Sequence, residues 1–156
     1  MNSVEKKLNA IQSIHLQDNT TLFNMFQHAH SLVAFNARAT SNQYHHPSDH
    51  LLFPDVLYNE GQGFDLTTGD FTAPLSGVYF LIFHTRAFGD WQNTYMKMEG
   101  DVISRCAGGQ IKGHATCPAT VHMQKGQKAW VEPIGSSHLY QGSNTYFSGF
   151  LFHADP

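Results

Sequence analysis

From about residue 32 to the end of the chain, short runs of apolar and aromatic residues alternate with turn residues. The runs cover residues 32–39, 55–58, 77–88, 94–98, 101–106, 120–124, 128–134 and 146–153. Turn pairs such as Ser76-Gly77, Glu99-Gly100 and Lys125-Gly126 separate them. Several short strands at this spacing are typical of a β-sandwich or barrel. The pattern therefore predicts one all-β domain over residues 32–156.

Aromatic content supports this prediction. The chain has 12 Phe, 6 Tyr and 2 Trp in 156 residues, and aromatic side chains suit the pleated, half-buried surface of a sheet. The run at residues 78–83 is apolar at every position, so we expect both faces of that strand to be buried. One cover is the core of the sandwich, and the other is a candidate subunit interface.

Residues 1–31 form a separate leader in this prediction. Val4, Leu8 and Ile11 recur at helical spacing, but the same heptad then places His15 and Asp18 in the seam. We therefore expect a short helix, a weak trimeric coil or an extended segment. Asn19 begins the one glycosylation sequon and is a candidate glycan site. Glycine does not recur at every third residue, so the leader is not a collagen stalk.

Composition excludes several classes of protein. The net charge is −3 and the longest basic cluster is Lys6-Lys7, which argues against nucleic-acid binding. No stretch approaches the roughly 18 consecutive apolar residues of a membrane span. The first residues lack the apolar segment of a signal peptide, so the chain is either cytosolic or its signal has been removed. Nucleophile-elbow, phosphate-loop and zinc-protease motifs are absent, and we expect no enzyme.

The two cysteines, Cys106 and Cys117, flank a glycine-containing segment that predicts a hairpin tip. With the turn centred on Ile111-Lys112, the two thiols would lie on directly opposed residues of neighbouring strands. A disulfide is feasible in that arrangement. The alternative is a pair of reduced thiols in the core.

The spacing of the central residues resembles the signature of the C1q domain. The matching positions are Phe53, Asn59, Phe64, Phe71, Gly77, Tyr79 and Phe83. Leu81 stands where the signature has Phe, a change that keeps the position apolar. Further stretches that resemble the family are residues 33–38, 58–61, 125–131 and 147–151, so the likeness covers about residues 32–154.

This resemblance implies a ten-stranded jelly-roll β-sandwich of the kind shared with the tumour necrosis factor superfamily. It also implies a secreted, extracellular protein that assembles as a homotrimer and recognises partners through its loops. Collagen-free invertebrate members of the family act as lectins and pattern-recognition proteins of innate immunity. Some members bind Ca²⁺ at the apex of the trimer, but this chain has no dense Asp/Glu cluster to which those ligands can be assigned.

Two loops combine aromatic and planar polar side chains, which suits the recognition of sugars. The first contains Asp90, Trp91, Gln92 and Asn93, and the second contains His138, Tyr140 and Gln141. We predict that these loops bind glycans. The alternative for Trp91 is an anchor in the core or in a subunit interface.

Histidine is unusually frequent, with 11 residues against 9 Lys and Arg together. The densest group contains His45, His46, Asp49 and His50, and its nitrogen and oxygen donors suit Zn²⁺ or Cu²⁺. The alternative is a polar loop with solvated imidazoles. His28 and His30 form a smaller group, and His84 and His122 are expected to be structural. Because imidazole titrates near neutral pH, mild acid is expected to loosen the trimer.

Three functions follow from these features. The first is a secreted lectin that recognises glycans or microbial surfaces. The second is an extracellular metal-binding or mineral-associated protein that uses its histidines. The third is a receptor-binding ligand that resembles cytokines of the same fold. The fold does not choose among them, because loops carry the function.

Overall fold

The computed structural model describes residues 3–29, 31–88, 92–108, 113–134, 138–140 and 142–156. By the density of its internal contacts the chain divides into two compact units, Met1–Ser31 and Leu32–Asp155. The first unit is helical and the second is built from strands.

The leader contains one helix, α1, over Ser3–Ala29. The leader is thus helical, and at 27 residues α1 is longer than the short helix that the sequence predicts. No Gly or Pro interrupts residues 3–29, and the hydroxyls of Thr20 and Thr21 bond to carbonyls one turn earlier, each at 2.9 Å. Asn19 lies exposed on this helix. The helix is not apolar enough along its described length to cross a bilayer.

The strands form two antiparallel sheets. Their bounds are β1 Ala34–Arg38, β2 Gln43–His45, β3 Asp55–Glu60, β4 Phe64–Asp65, β5 Asp70–Thr72, β6 Gly77–Phe88, β7 Gln92–Met98, β8 Asp101–Gly108, β9 His114–Met123, β10 Lys128–Pro133, β11 His138–Tyr140 and β12 Tyr146–Ala154. The larger sheet has the order β2-β11-β6-β12-β1-β3, with β9 also paired to β6, and the smaller has the order β4-β5-β10-β7-β8. This confirms the predicted jelly-roll sandwich, with twelve strands described instead of ten.

Aromatic rings fill the space between the two sheets. Phe35 of β1 lies at the centre, with its ring centroid 4.6 Å from that of Phe71, 4.9 Å from that of Phe147 and 5.1 Å from that of Phe64. Each of these four side chains is at least 95% buried. The rings come from both sheets, so their packing holds the sandwich together.

The C1q-like signature positions have structural roles in this core. Asn59 donates from Nδ2 to the carbonyl of Phe64 at 2.9 Å and accepts from the Phe64 amide at 3.1 Å, which closes the turn between β3 and β4. Gly77 begins β6 against β12, where an added Cβ would lie 2.2 Å from the carbonyl oxygen of His153. The matched Phe and Tyr positions are buried in the core.

The long strand β6 has an apolar residue on each face, as the sequence predicts. Its inward residues Tyr79, Leu81 and Phe83 are fully buried in the sandwich. Phe80 lies on the opposite face and packs on Phe150 of β12, with 5.5 Å between ring centroids. Phe150 remains 43% exposed and Phe152 75% exposed. The outer face of the seven-stranded sheet therefore carries uncovered aromatic surface.

Cys106 and Cys117 are joined as a disulfide, with 5.6 Å between their Cα atoms. The predicted hairpin that would place them on neighbouring strands is wrong. Cys106 lies on β8, which pairs with β7, and Cys117 lies on β9, which pairs with β6. β8 and β9 therefore belong to different sheets. The bridge links the two sheets across the core. It does not join two hydrogen-bonded neighbouring strands of one sheet.

Candidate functional site

The predicted ligand-binding residues belong to two different sheets. Gln92 and Asn93 lie at the start of β7 in the five-stranded sheet, whereas His138 and Tyr140 lie on β11 in the seven-stranded sheet. The remaining predicted residues, Asp90, Trp91 and Gln141, fall outside the described part of the chain. The two predicted loops therefore do not form one site, and the first adjoins a cavity.

A groove of about 340 Å³ opens on the five-stranded sheet beside the start of β7. Its lining residues are Asn93, Tyr95, Arg105, Cys106, Ala107 and Ile134. Asn93 is the predicted ligand-binding residue among them. The size lies at the lower end of the range for small-molecule sites, about 300–1,000 Å³.

Strand pairing builds this groove. Asn93 lies opposite Ala107, and Tyr95 lies opposite Arg105, in the antiparallel pair β7–β8. Thr94 lies between Asn93 and Tyr95 on β7, and its side chain is buried. Because side chains alternate along a strand, Asn93 and Tyr95 point to the outer face. On the other side, the Ile134 amide donates to the Asn93 carbonyl at 3.0 Å and keeps the chain after β10 against β7.

Among the lining residues that the structure describes, Arg105 is the cation. Its guanidinium carbon lies 5.0 Å from the centre of the Tyr95 ring, within the range of a cation–π contact. Within the part of the chain that the structure describes, this guanidinium forms no ion pair with a carboxylate. The groove therefore combines an aromatic ring, a side-chain amide and a positive charge without a counter-ion from the described residues.

A carboxylate across the strand from Tyr95 already has a cationic partner. Glu132 of β10 lies opposite Tyr95, and it accepts from Lys97 Nζ at 2.6 Å and from Trp130 Nε1 at 2.9 Å. Burial raises the pKa of Glu132, but the hydrogen bonds from Lys97 and Trp130, together with nearby positive charge, outweigh it and lower the pKa of the carboxyl below its ordinary value of 4.5. Glu132 is thus an ionised partner of Lys97 and not of Arg105.

The predicted metal group is divided between two local structures. Asp49 accepts the amide of His46 at 2.9 Å in a tight turn, whereas the ring of His50 stacks on Trp130 with 4.8 Å between centroids. His50 Nδ1 lies 2.7 Å from Asp70 Oδ1. The described residues contain no cluster of three metal-ligating side chains, and the side chain of His45 is not among them.

His50 has a structural setting that the sequence did not suggest. The backbone after the turn runs beside β10, since the Leu51 amide donates to the Val131 carbonyl at 2.8 Å. That contact places the imidazole over Trp130 and next to the buried carboxylate of Asp70. The metal site at His45, His46, Asp49 and His50 stays a prediction, without a supporting contact in the described residues.

A pair of stacked histidines lies on the outer face of the seven-stranded sheet. The rings of His84 on β6 and His114 on β9 stack with 5.5 Å between centroids, and His84 Nδ1 lies 2.8 Å from Thr116 Oγ1. Burial, and then the charge of His114, lower the pKa of His84 below its ordinary value of 6.5. The other histidine expected to be structural, His122, bonds to Asp155 at 3.0 Å.

The lowered pKa of His84 predicts a loss of stability in mild acid. The unfolded chain takes up a proton at about pH 6.5 while folded His84 resists it, so the free energy of unfolding falls as the pH drops below that value. Once the pH lies below the pKa of His84 in the folded protein, the loss in the free energy of unfolding no longer increases. Urea unfolding at pH 7.5 and 5.5 should show a smaller loss for His84→Gln than for the wild type. His153→Gln controls for removal of one imidazole, and an equal loss in His84→Gln would contradict the prediction.

Sequence reasoning missed Tyr95 and Arg105. The predicted first loop ended at Asn93, but the strand that follows continues the same outer face at Tyr95. Arg105 reaches the groove only because β8 pairs with β7 in the register that puts it opposite Tyr95. A signal for Tyr95 was present in the alternation of the strand. No local pattern identified its partner.

Curated proteins of known name match most of this chain. Complement C1q tumor necrosis factor-related protein 3 of Homo sapiens is 28% identical over 126 residues, which are 76% of this chain and 50% of that protein. Caprin-2 of Danio rerio is 31% identical over 131 residues, which are 79% of this chain and 14% of that protein. The chain thus spans half or less of these relatives.

Solved structures share the fold. The globular domain of zebrafish complement 1qA protein superposes with a TM-score of 0.69 at 23% identity, covering 79% of this chain and 98% of that one. Eiger TNF from S. frugiperda gives a TM-score of 0.65 at 12% identity, covering 81% and 96%. Murine APRIL gives a TM-score of 0.63 at 12% identity, covering 78% and 99%.

The sequence profile of the C1q domain matches residues 34–152. This range contains the strands from β1 almost to the end of β12, the aromatic core and every described residue of the groove. The chain belongs to the C1q domain family.

Proposed function

We propose that this chain is a secreted, non-enzymatic recognition protein that binds saccharides in the groove at Asn93, Tyr95 and Arg105. C1q domain proteins are typically secreted proteins of recognition or signalling. The observation that carries the proposal is the groove itself, where strand pairing holds an aromatic ring beside an amide and a guanidinium.

These groups match the chemistry of a sugar. A pyranose ring has an apolar face of C–H groups, which packs on an aromatic ring, and a rim of hydroxyls that donate and accept hydrogen bonds. The Asn93 side chain offers both a donor and an acceptor, and Arg105 offers donors. Because both residues are held on paired strands, the groove is formed before a ligand arrives.

Binding to a glycan array tests this proposal. We expect the wild type to bind a subset of glycans and Tyr95→Leu to lose at least tenfold in affinity, because the sugar loses its aromatic partner. Leu66→Ala is the control, since Leu66 is an exposed apolar side chain in the turn after β4 and does not line the groove. Undiminished binding by Tyr95→Leu, with the control intact, excludes this groove as the site.

The chain is also proposed to form a homotrimer through the seven-stranded sheet. Proteins of this fold typically assemble in this way. The Phe80–Phe150 pair and Phe152 leave aromatic surface uncovered on that sheet, and contiguous exposed apolar surface marks an interaction site. The groove lies on the other sheet, so assembly through this face leaves it open to ligands.

Substitution in the exposed aromatic surface tests the assembly. Light scattering should give three times the monomer mass for the wild type. Phe150→Glu should give the monomer mass, because a carboxylate buried in an apolar interface is strongly unfavourable. Leu66→Glu is the control, since Leu66 is 48% exposed in the turn after β4. A trimeric Phe150→Glu protein would exclude this face.

A further inference from the structure

We infer that the groove selects saccharides that carry a carboxylate or a sulfate, and that Arg105 is the residue that binds this negatively charged group. This inference rests on the proposed function and narrows it from sugars in general to acidic sugars. It starts from the charge balance of the groove, in which Arg105 forms no ion pair with a described carboxylate.

Two other groups of charged side chains on this sheet have partners of their own. Lys97 bonds to Glu132 at 2.6 Å, and Asp70 lies between His50, at 2.7 Å, and Lys128, at 3.5 Å. These contacts give the carboxylates of Glu132 and Asp70 partners among neighbouring side chains. Although the whole chain has a net charge of −3, the cation among the described lining residues of the groove is Arg105.

The setting of Arg105 suits an anion better than a neutral hydroxyl. A guanidinium over an aromatic ring keeps its five N–H donors, which project from the edge of its plane and match the two oxygens of a carboxylate. The contact with Tyr95 also restricts the long side chain, so less conformational entropy remains to be lost when a ligand binds. Charge-assisted hydrogen bonds are about twice as strong as neutral ones.

The rest of the lining fixes where the anion must lie on the sugar. Tyr95 provides the ring, Asn93 provides the amide beside it, and Ala107 and Ile134 provide apolar walls. Arg105 is directly opposite Tyr95 on the neighbouring strand. Its guanidinium lies over one face of the Tyr95 ring, so a sugar packs on the ring surface that Arg105 leaves open and meets the edge of the guanidinium there. An acidic substituent gains most from that contact.

Calorimetry with a matched pair of ligands tests the inference. An oligosaccharide that contains glucuronate and the same oligosaccharide with glucose differ only in a carboxylate. We expect the acidic form to bind about tenfold more tightly, as one charge-assisted contact is worth about a factor of ten or more. The preference should weaken between 50 mM and 500 mM salt, since Arg105 is exposed to solvent.

Two substitutions at one position separate charge from geometry. Arg105→Met keeps the length and removes the charge, so it should bind both ligands with equal affinity. That affinity should lie below the affinity of the wild type for the neutral ligand, because the hydrogen-bond donors of Arg105 are lost as well. Arg105→Lys keeps the charge without the planar fork and should show an intermediate preference. Unchanged melting temperatures show that the fold is intact in both variants.

The outcomes distinguish this inference from the proposed saccharide binding on which it rests. Equal affinity of the wild type for both ligands, or a preference that survives in Arg105→Met, overturns the role of Arg105 in selecting acidic sugars. Binding that is lost in Tyr95→Leu still supports a saccharide groove in that case. No binding to either ligand or to any glycan on the array overturns both.

Discussion

Phe35→Ala should lower the free energy of unfolding by about 3–5 kcal/mol, the range for removing a large aromatic side chain from a packed core. Phe35 is 2% exposed, and three aromatic rings lie within 5.1 Å of its ring centre. Alanine removes all three ring contacts and leaves a cavity between the sheets. A loss of this size is a large part of the total stability of a domain, about 5–15 kcal/mol.

Urea unfolding followed by tryptophan fluorescence measures this loss. Leu66→Ala is the control, because Leu66 is a large apolar side chain that is half exposed outside the core; its change should stay within about 1 kcal/mol. A loss below about 1.5 kcal/mol in Phe35→Ala would show that the surrounding rings collapse into the space. The aromatic stack would then not be the main contact between the sheets.

Removing the disulfide should have the second largest effect. Replacing both Cys106 and Cys117 with Ala should cost about 3 kcal/mol, because the bridge closes a loop with a sequence separation of 11 and restricts the unfolded chain accordingly. The bridge also ties the strand that carries Arg105 to the opposite sheet. We therefore expect saccharide affinity in the groove to fall together with stability.

Reduction of the wild type provides the control for the substitution. Dithiothreitol breaks the bond without changing either side chain, so reduced wild type and the Cys106→Ala/Cys117→Ala protein should unfold at similar urea concentrations. The double variant should also become insensitive to the reductant. If the wild type unfolds at the same urea concentration with and without dithiothreitol, the bridge does not stabilise the fold.

Much of the fold could be predicted from local sequence. The alternation of apolar runs and turn residues identified the sandwich, because side chains on a strand alternate between core and solvent. The C1q-like spacing placed the core Phe residues and the turn that Asn59 closes. The length of α1 was underestimated, because polar seam positions weaken a coiled coil but do not stop a helix.

The connection between the two cysteines could not be predicted from the same signals. A glycine-rich segment between two strands is compatible with a hairpin in one sheet and with a crossing between sheets. The alternation of buried residues on β8 and β9 is the same in both cases. Only the pairing of β8 with β7 and of β9 with β6 shows that Cys106 and Cys117 meet across the core.

By itself, the sequence determined the β-sandwich and its aromatic core. These features depend on the period of the side chains along one segment. Tertiary structure alone decided that Arg105 lies over Tyr95, and that His46 and His50 take part in different contacts. The reason is that such contacts depend on which strands become neighbours and in what register, and residues distant in the chain set both.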